Sequence, residues 1–172
     1  MTLEKILEAR EERCNRKCAL IRQHEGACVV SLTLRMPSEL RRTEDAEKVF
    51  LMAKEHLACA LENAFSRVSV QYIRDSFDGP YALMTVYAEA ESVKRACIRL
   101  EENAPFGDLV DADVMKSFGE EISRKDVGGE ERRCLVCPEK NARICLINKR
   151  HTREETARAV QEKIRQLILE RV

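Results

Sequence analysis

The sequence predicts an α+β domain of the split βαβ, or ferredoxin-like, pattern: an antiparallel sheet with helices on one face. Three observations carry this reading. Apolar residues alternate with polar ones over four short stretches, and they recur at three- and four-residue spacing over two others. Turn residues separate these stretches in the order strand–helix–strand–strand–helix–strand. At 172 residues the chain is long enough for one well-cored domain, and no internal repeat or low-complexity linker divides it. The expected organisation is a single domain over 1–172, with an N-terminal helix over 1–26, an α+β core over 27–127, and a Cys-containing loop with a terminal helix over 128–172.

Residues 2–22 read as a charge-rich helix with sparse apolar positions at Leu3, Ile6, Leu7, Leu20 and Ile21, broken by His24-Glu25-Gly26. Cys28 to Met36 reads as a strand that places Val30, Leu32, Leu34 and Met36 on one face before Pro37 stops it. The clearest helix spans 44–65, where Ala46, Val49, Phe50, Ala53, Leu57 and Leu61 form one apolar stripe. Strands follow over 67–75 and 81–89, joined by a turn at Phe77-Asp78-Gly79-Pro80. A helix over 91–103 carries Val93, Ala96, Cys97 and Leu100 inward and ends at Pro105 and Gly107. The next strand holds Asp111-Ala112-Asp113, with Glu120 to Arg124 as its hairpin partner across Ser117-Phe118-Gly119. Beyond Gly128-Gly129, residues 132–151 read as a loop bearing cysteines. The last helix opens on the capping box Thr152-Arg153-Glu154-Glu155, followed by an apolar stripe through Ala157, Val160, Ile164 and Leu167.

Thirty basic and thirty acidic residues cancel, so nothing global recommends nucleic acid as a partner. From Glu130 onward, however, 11 Lys and Arg stand against 7 Asp and Glu, which favours phosphate or an acidic protein surface. No apolar run approaches membrane-spanning length, and the charged N-terminus lacks the apolar core of a signal peptide, so a cytoplasmic location with no membrane partner is expected. In that compartment the eight cysteines should be thiols or metal ligands.

Two constellations carry chemistry. On an extended strand, Val110, Ala112 and Val114 point one way while Asp111 and Asp113 point the other, about 6–7 Å apart at the backbone. Such a pair suits a clamp on a hard divalent cation such as Mg²⁺ held against a triphosphate, though two solvated carboxylates at a strand edge would look the same. The second constellation is Cys134, Cys137, Cys145 and His151, a Cys-x2-Cys-x7-Cys-x5-His spacing that permits one tetrahedral Zn²⁺. Small core cysteines beside a helix cap are the alternative. A redox Cys-x-x-Cys is disfavoured, since no helix starts on the pair. Arg124, Lys125, Arg132, Arg133, Arg143, Lys149 and Arg150 bracket both constellations, and Arg suits bidentate phosphate recognition.

These segments together resemble one family, the citrate lyase holo-acyl-carrier-protein synthases, also called apo-citrate lyase phosphoribosyl-dephospho-coenzyme A transferases. The likeness runs from about Leu7 to the final helix. It is carried by Arg10-Glu11-Glu12-Arg13, Met36-Pro37, Asp78-Gly79-Pro80, Pro105-Phe106-Gly107 leading into Asp111-Ala112-Asp113-Val114, and Ser123-Arg124-Lys125-Asp126. Arg132-Arg133-Cys134-Leu135-Val136-Cys137, Cys145 and His151 complete it.

The resemblance implies a nucleotidyltransferase-like enzyme. It would move phosphoribosyl-dephospho-coenzyme A from its triphosphate precursor, triphosphoribosyl-dephospho-CoA, to a serine on the acyl carrier subunit of citrate lyase, releasing pyrophosphate. On that expectation Asp111 and Asp113 hold Mg²⁺ with Asp126 as a candidate third ligand. Gly107, Arg124, Lys125, Arg132 and Arg133 bind the triphosphate, and Arg10 and Arg13 serve the dephospho-coenzyme A end or the carrier. The acidic carrier would dock on the basic C-terminal third, around Lys149 and Arg150. The sequence departs from the family pattern at Ala104 and Asp108, where a His and an Arg are expected. Those departures keep two other readings open: the same chemistry on another carrier, of the malonate decarboxylase type, and a non-catalytic module that docks the carrier.

Overall fold

The structure, a computed structural model, describes residues 3–117 and 119–169. Thr2 and Phe118, which the sequence places in a helix and a hairpin turn, lie outside the described residues. The elements run α1 (Leu3–Gln23), β1 (Cys28–Leu34), α2 (Glu44–Ala64), β2 (Val68–Ile73), β3 (Tyr81–Val86), α3 (Ala90–Asn103), β4 (Val110–Ser117), β5 (Glu120–Ile122), α4 (Ala142–Ile147) and α5 (Arg153–Leu169). The sheet order is β2-β3-β1-β4-β5 and every neighbouring pair is antiparallel. Its first four strands take the order that the split βαβ pattern demands, and β5 extends one edge.

One face of the sheet carries Val30, Leu32, Met84, Val110, Ala112 and Val114, all fully buried. The apolar stripes of α2, α3 and α5 cover it, with Phe50, Leu57, Cys97 and Val160 among the contacts. The other face is shorter: Val29, Tyr81 and Leu83 meet Leu20 and Ile21 of α1. β1 is therefore buried on both faces, although its alternation marks only one, because α1 returns over the second.

Local chemistry sets the element ends. Thr43 caps α2, its hydroxyl accepting from the Ala46 N–H at 3.3 Å. The capping box of α5 is formed on both sides: the Glu155 N–H donates to Thr152 Oγ1 at 3.1 Å, and the Thr152 N–H to Glu155 Oε2 at 2.8 Å. The segment read as a loop over 132–151 contains α4, capped by Asn141, whose Oδ1 accepts from the Arg143 N–H at 3.0 Å. Six residues are too few for a visible 3.6-residue period.

α1 is fixed by charge as well as by packing. Asp78, buried in the turn between β2 and β3, accepts from Arg10 at 3.0 Å, Arg13 at 3.3 Å and Arg41 at 2.5 Å. A carboxylate removed from water needs such counterions. Arg10 and Arg13, expected at the substrate or carrier, hold their helix on the sheet through this carboxylate.

Candidate functional site

β5 is three residues long and pairs with β4 only from Val114 onward, leaving the edge of β4 open at Val110–Ala112. Open edge groups must find partners or face water. Here side chains take the place of a strand. The Ala112 N–H donates to Glu101 Oε1 at 2.7 Å, the Ala112 carbonyl accepts from Lys94 Nζ at 2.9 Å, and the Val110 carbonyl accepts from Arg132 at 2.8 Å. Lys94 and Glu101 come from the buried side of α3 and are themselves 4% and 5% exposed. Glu101 further accepts from Arg132 and, at 2.5 Å, from Arg124. One buried carboxylate therefore joins α3, the edge of β4 and two of the arginines singled out in the sequence.

With the edge closed in this way, Asp111 and Asp113 stand on the face of β4 opposite the core, both partly exposed. Arg132 also donates to Asp111 Oδ1 at 2.6 Å, and Lys94 Nζ lies 4.0 Å from Asp113 Oδ1. Burial and the like charge of Asp111 push Asp113 up to about 6, with Lys94 acting in the opposite direction. The two carboxylates are thus close enough to repel, and such repulsion is what a divalent cation relieves. The chemistry of the pair, oxygen donors on one rigid strand, fits Mg²⁺.

A cleft of about 910 Å³ opens here. Asp111, Asp113, Arg124, Lys125, Arg132, Cys134, Arg143, Cys145, Lys149 and His151 all line it, so ten of the side chains singled out in the sequence meet in one place. Seven Lys and Arg line it against four Asp and Glu. Their states differ. Arg124 and Arg132 are tied to Glu101, and Lys125 lies 3.7 Å from Glu131. Arg35 has no anionic partner but is held by two main-chain carbonyls, whereas the Arg143 and Lys149 side chains have no hydrogen-bond or ion-pair partner among the described residues, which leaves these two for a ligand.

Other named residues go elsewhere. Gly107 and the exposed Arg133 line a neighbouring groove of about 490 Å³. Gly107 packs against the last turn of α3, where a Cβ would overlap the main-chain carbonyl of Glu101. Asp126 accepts from the N–H and hydroxyl of Ser123, both at 2.7 Å, which hold it below its ordinary range, and it does not line the cleft. Asp108 pairs with Lys163 of α5 at 2.7 Å. Arg150 pairs with Glu139 at 3.2 Å, leaving Lys149 as the member of that pair on the cleft.

The second constellation closes on itself. The ligand atoms of Cys134, Cys137, Cys145 and His151 lie within 4.8 Å of one another and form a set that could hold a metal ion. Cys137 Sγ is 3.6 Å from Cys145 Sγ and 3.2 Å from His151 Nε2. Burial opposes the Cys134 thiolate, but the backbone N–H groups of Val136 and Cys137 win and bring the thiol down to about 7.

Sequence reasoning missed Lys94, Glu101 and Arg35, all of which border these clefts. For the first two a signal exists: they sit seven residues apart, beside Cys97 on the buried side of a helix, where charges are rare without partners. Arg35, which donates to the Asp108 and Arg133 carbonyls at 3.3 and 2.8 Å, has none.

Comparison with known proteins gives one consistent result. The family model described as apo-citrate lyase phosphoribosyl-dephospho-CoA transferase matches residues 1–167. Relatives of that name in Escherichia coli O7:K1 and in Shigella flexneri serotype 5b are 30% identical over 151 residues, covering 88% of this chain and 81% of theirs. A relative in Shigella boydii serotype 18 matches to the same extent.

Proposed function

The chain belongs to the apo-citrate lyase phosphoribosyl-dephospho-CoA transferase family of enzymes, and from that premise we infer that it moves phosphoribosyl-dephospho-CoA from a triphosphate precursor to a serine of the apo acyl carrier subunit of citrate lyase. The serine oxygen forms a bond to the α-phosphorus, the bond from that phosphorus to the pyrophosphate oxygen breaks, the hydroxyl gives up its proton, and pyrophosphate leaves. The observation that carries this reading is the pairing, in one cleft, of two like-charged carboxylates on a rigid strand with two uncommitted cations, Arg143 and Lys149.

Asp111 and Asp113 would hold Mg²⁺, which supplies charge neutralisation at the triphosphate. Arg132, pinned by Glu101 and the Val110 carbonyl, holds Asp111 in place and adds positive charge at the same spot. Arg143 and Lys149 would take the departing pyrophosphate, whose charge grows as the bond breaks. Asp108, which stands where a basic residue is expected, does not oppose the triphosphate, because Lys163 holds its carboxylate. Zn²⁺ would take the Cys/His set.

Intact mass of the apo carrier, incubated with this protein, the triphosphate precursor and Mg²⁺, tests the reading. A gain of one phosphoribosyl-dephospho-CoA, lost with EDTA and lost in Asp111→Asn, is the expected result. No gain beside an active relative in parallel would overturn it.

A further inference from the structure

Residues 128–151 form one wall of the cleft, yet little apolar burial holds them there. Cys145 is the only buried side chain between 128 and 151, while Leu146 and Ile147 of α4 are 78% and 70% exposed. Regular structure is limited to the six residues of α4. Something other than a core must fix this wall.

We propose that Cys134, Cys137, Cys145 and His151 bind one zinc ion in a closed, four-coordinate site that fixes residues 132–151 as the cleft wall and takes no part in the transfer chemistry. The donor set is the first support. A tetrahedron with Zn–S bonds of about 2.3 Å has sulfur–sulfur edges of about 3.8 Å. The Cys137–Cys145 separation of 3.6 Å and the Cys137–His151 separation of 3.2 Å are on that scale, and all four donors lie within 4.8 Å of one another. Three thiolates and an imidazole are soft and borderline ligands that select zinc over Mg²⁺.

Backbone geometry is the second support. Lys149 has a φ of 47°, a left-handed conformation unusual for a residue with a side chain. The Lys149 N–H donates to the Leu146 carbonyl at 3.2 Å and the Arg150 N–H to the Cys145 carbonyl at 3.0 Å, which ends α4 and reverses the chain. That reversal brings His151 back to Cys137. At the other end, the Val136 N–H points at Cys134 Sγ at 3.4 Å, and the Cys134 N–H donates to the Glu139 carbonyl at 2.9 Å, which folds the Cys-x-x-Cys pair around a common centre.

The third support is the count of ligands. Four protein donors fill a tetrahedral shell and leave no position for water or substrate, which marks a structural ion. Its effect would reach catalysis only through the wall, which carries Arg143 and Lys149. The inference rests on the transferase reading for the use of that wall, and on its own geometry for the ion.

Metal analysis of protein purified under reducing conditions without chelator tests it. We expect one zinc per chain, lost in Cys137→Ser and kept in His151→Cys. Cobalt substitution should give the intense ligand-field bands of a tetrahedral ion with thiolate charge transfer, also absent in Cys137→Ser. Zinc-free protein should keep the far-UV dichroism of the folded core while becoming open to proteolytic cleavage within 132–151. Absence of both zinc and the cobalt bands while the thiols titrate as free would overturn the proposal. So would zinc that persists in Cys137→Ser, or a metal-free wall still protected from protease. Zinc with these properties in a protein that modifies no carrier would sink the transferase reading alone. Full transfer by zinc-free protein would sink the wall.

Discussion

Asp113 meets the like charge of Asp111 in the folded chain, a repulsion that unfolding removes. Burial and Asp111 raise Asp113 to about 6, well above the ordinary carboxylate range. A folded-state pKa above the unfolded one means that the folded chain binds the proton more tightly, so this group's contribution to stability falls as pH rises from about 4 to about 6. The side chain is 47% exposed, so solvent screens part of the effect. Asp113→Asn keeps the shape, removes the charge, and leaves Lys94 bonded to the Ala112 carbonyl. The variant should therefore melt higher than the parent at pH 7 and close to it at pH 4, while losing carrier modification. Calorimetry across that pH range checks the sign: a variant that melts lower at pH 7 would mean that Lys94 attraction outweighs Asp111 repulsion. Stability given up at a site where like charges converge is the usual mark of a position kept for a ligand.

At the scale of elements, the informative object is the open edge of β4 and the helix that closes it. Glu101 receives the Ala112 N–H and two guanidinium groups, so Glu101→Ala would leave a buried donor without its acceptor and take the buried counterion from Arg124 and Arg132, which would keep only the more exposed Glu102 and Asp111. Breaking such a pair costs about 3–5 kcal/mol, a large part of a typical domain's stability. Glu101→Gln, which can still accept at Oε1, should lose less and remain folded. Denaturant titration of the glutamine variant should show a lower midpoint with an unchanged slope, and transfer should fall as Arg132 loses its hold beside Asp111. A midpoint equal to the parent's would show that solvent already satisfies this edge. This pairing also marks where the sequence stops being legible. The strands, the helical stripes and the facing of Asp111 with Asp113 follow from periods of 2 and 3.6, which any reader of the chain can count. The Cys/His set follows from spacing. Glu101 meeting Ala112 depends on β5 ending after three residues, and Arg10 meeting Asp78 joins residues 68 apart through the sheet order. Period and spacing encode faces; they do not encode which edge is left open or which helix crosses it. For that reason Arg124, Arg132, Arg10 and Arg13 look like ligand-binding cations in the sequence, and the structure ties each to a buried carboxylate.

For the whole molecule, the cleft joins a rigid floor to a wall with little core of its own. The carboxylates belong to β4, a strand packed between β1 and the buried side of α3, whereas Arg143 and Lys149 belong to a segment with one buried side chain. A ligand that needs both must couple them, and its binding must appear as stabilisation of the folded chain. With Mg²⁺ and precursor at about 100 times the dissociation constant, linkage gives about 2.7 kcal/mol. For a chain of this size, that amounts to a rise in Tm of roughly 5–10 °C. The same experiment on Asp111→Asn removes the floor, and on zinc-free protein it removes the wall. Both should lose the shift, although only the second has lost its zinc. A shift that survives in zinc-free protein would place the precursor on the floor alone, with the wall left to receive the carrier. A shift absent from the parent would fit a docking module, since a surface that only holds the carrier has no reason to bind the triphosphate. The two clusters that the sequence separates by some twenty residues thus become one thermodynamic unit only when the ligand bridges them.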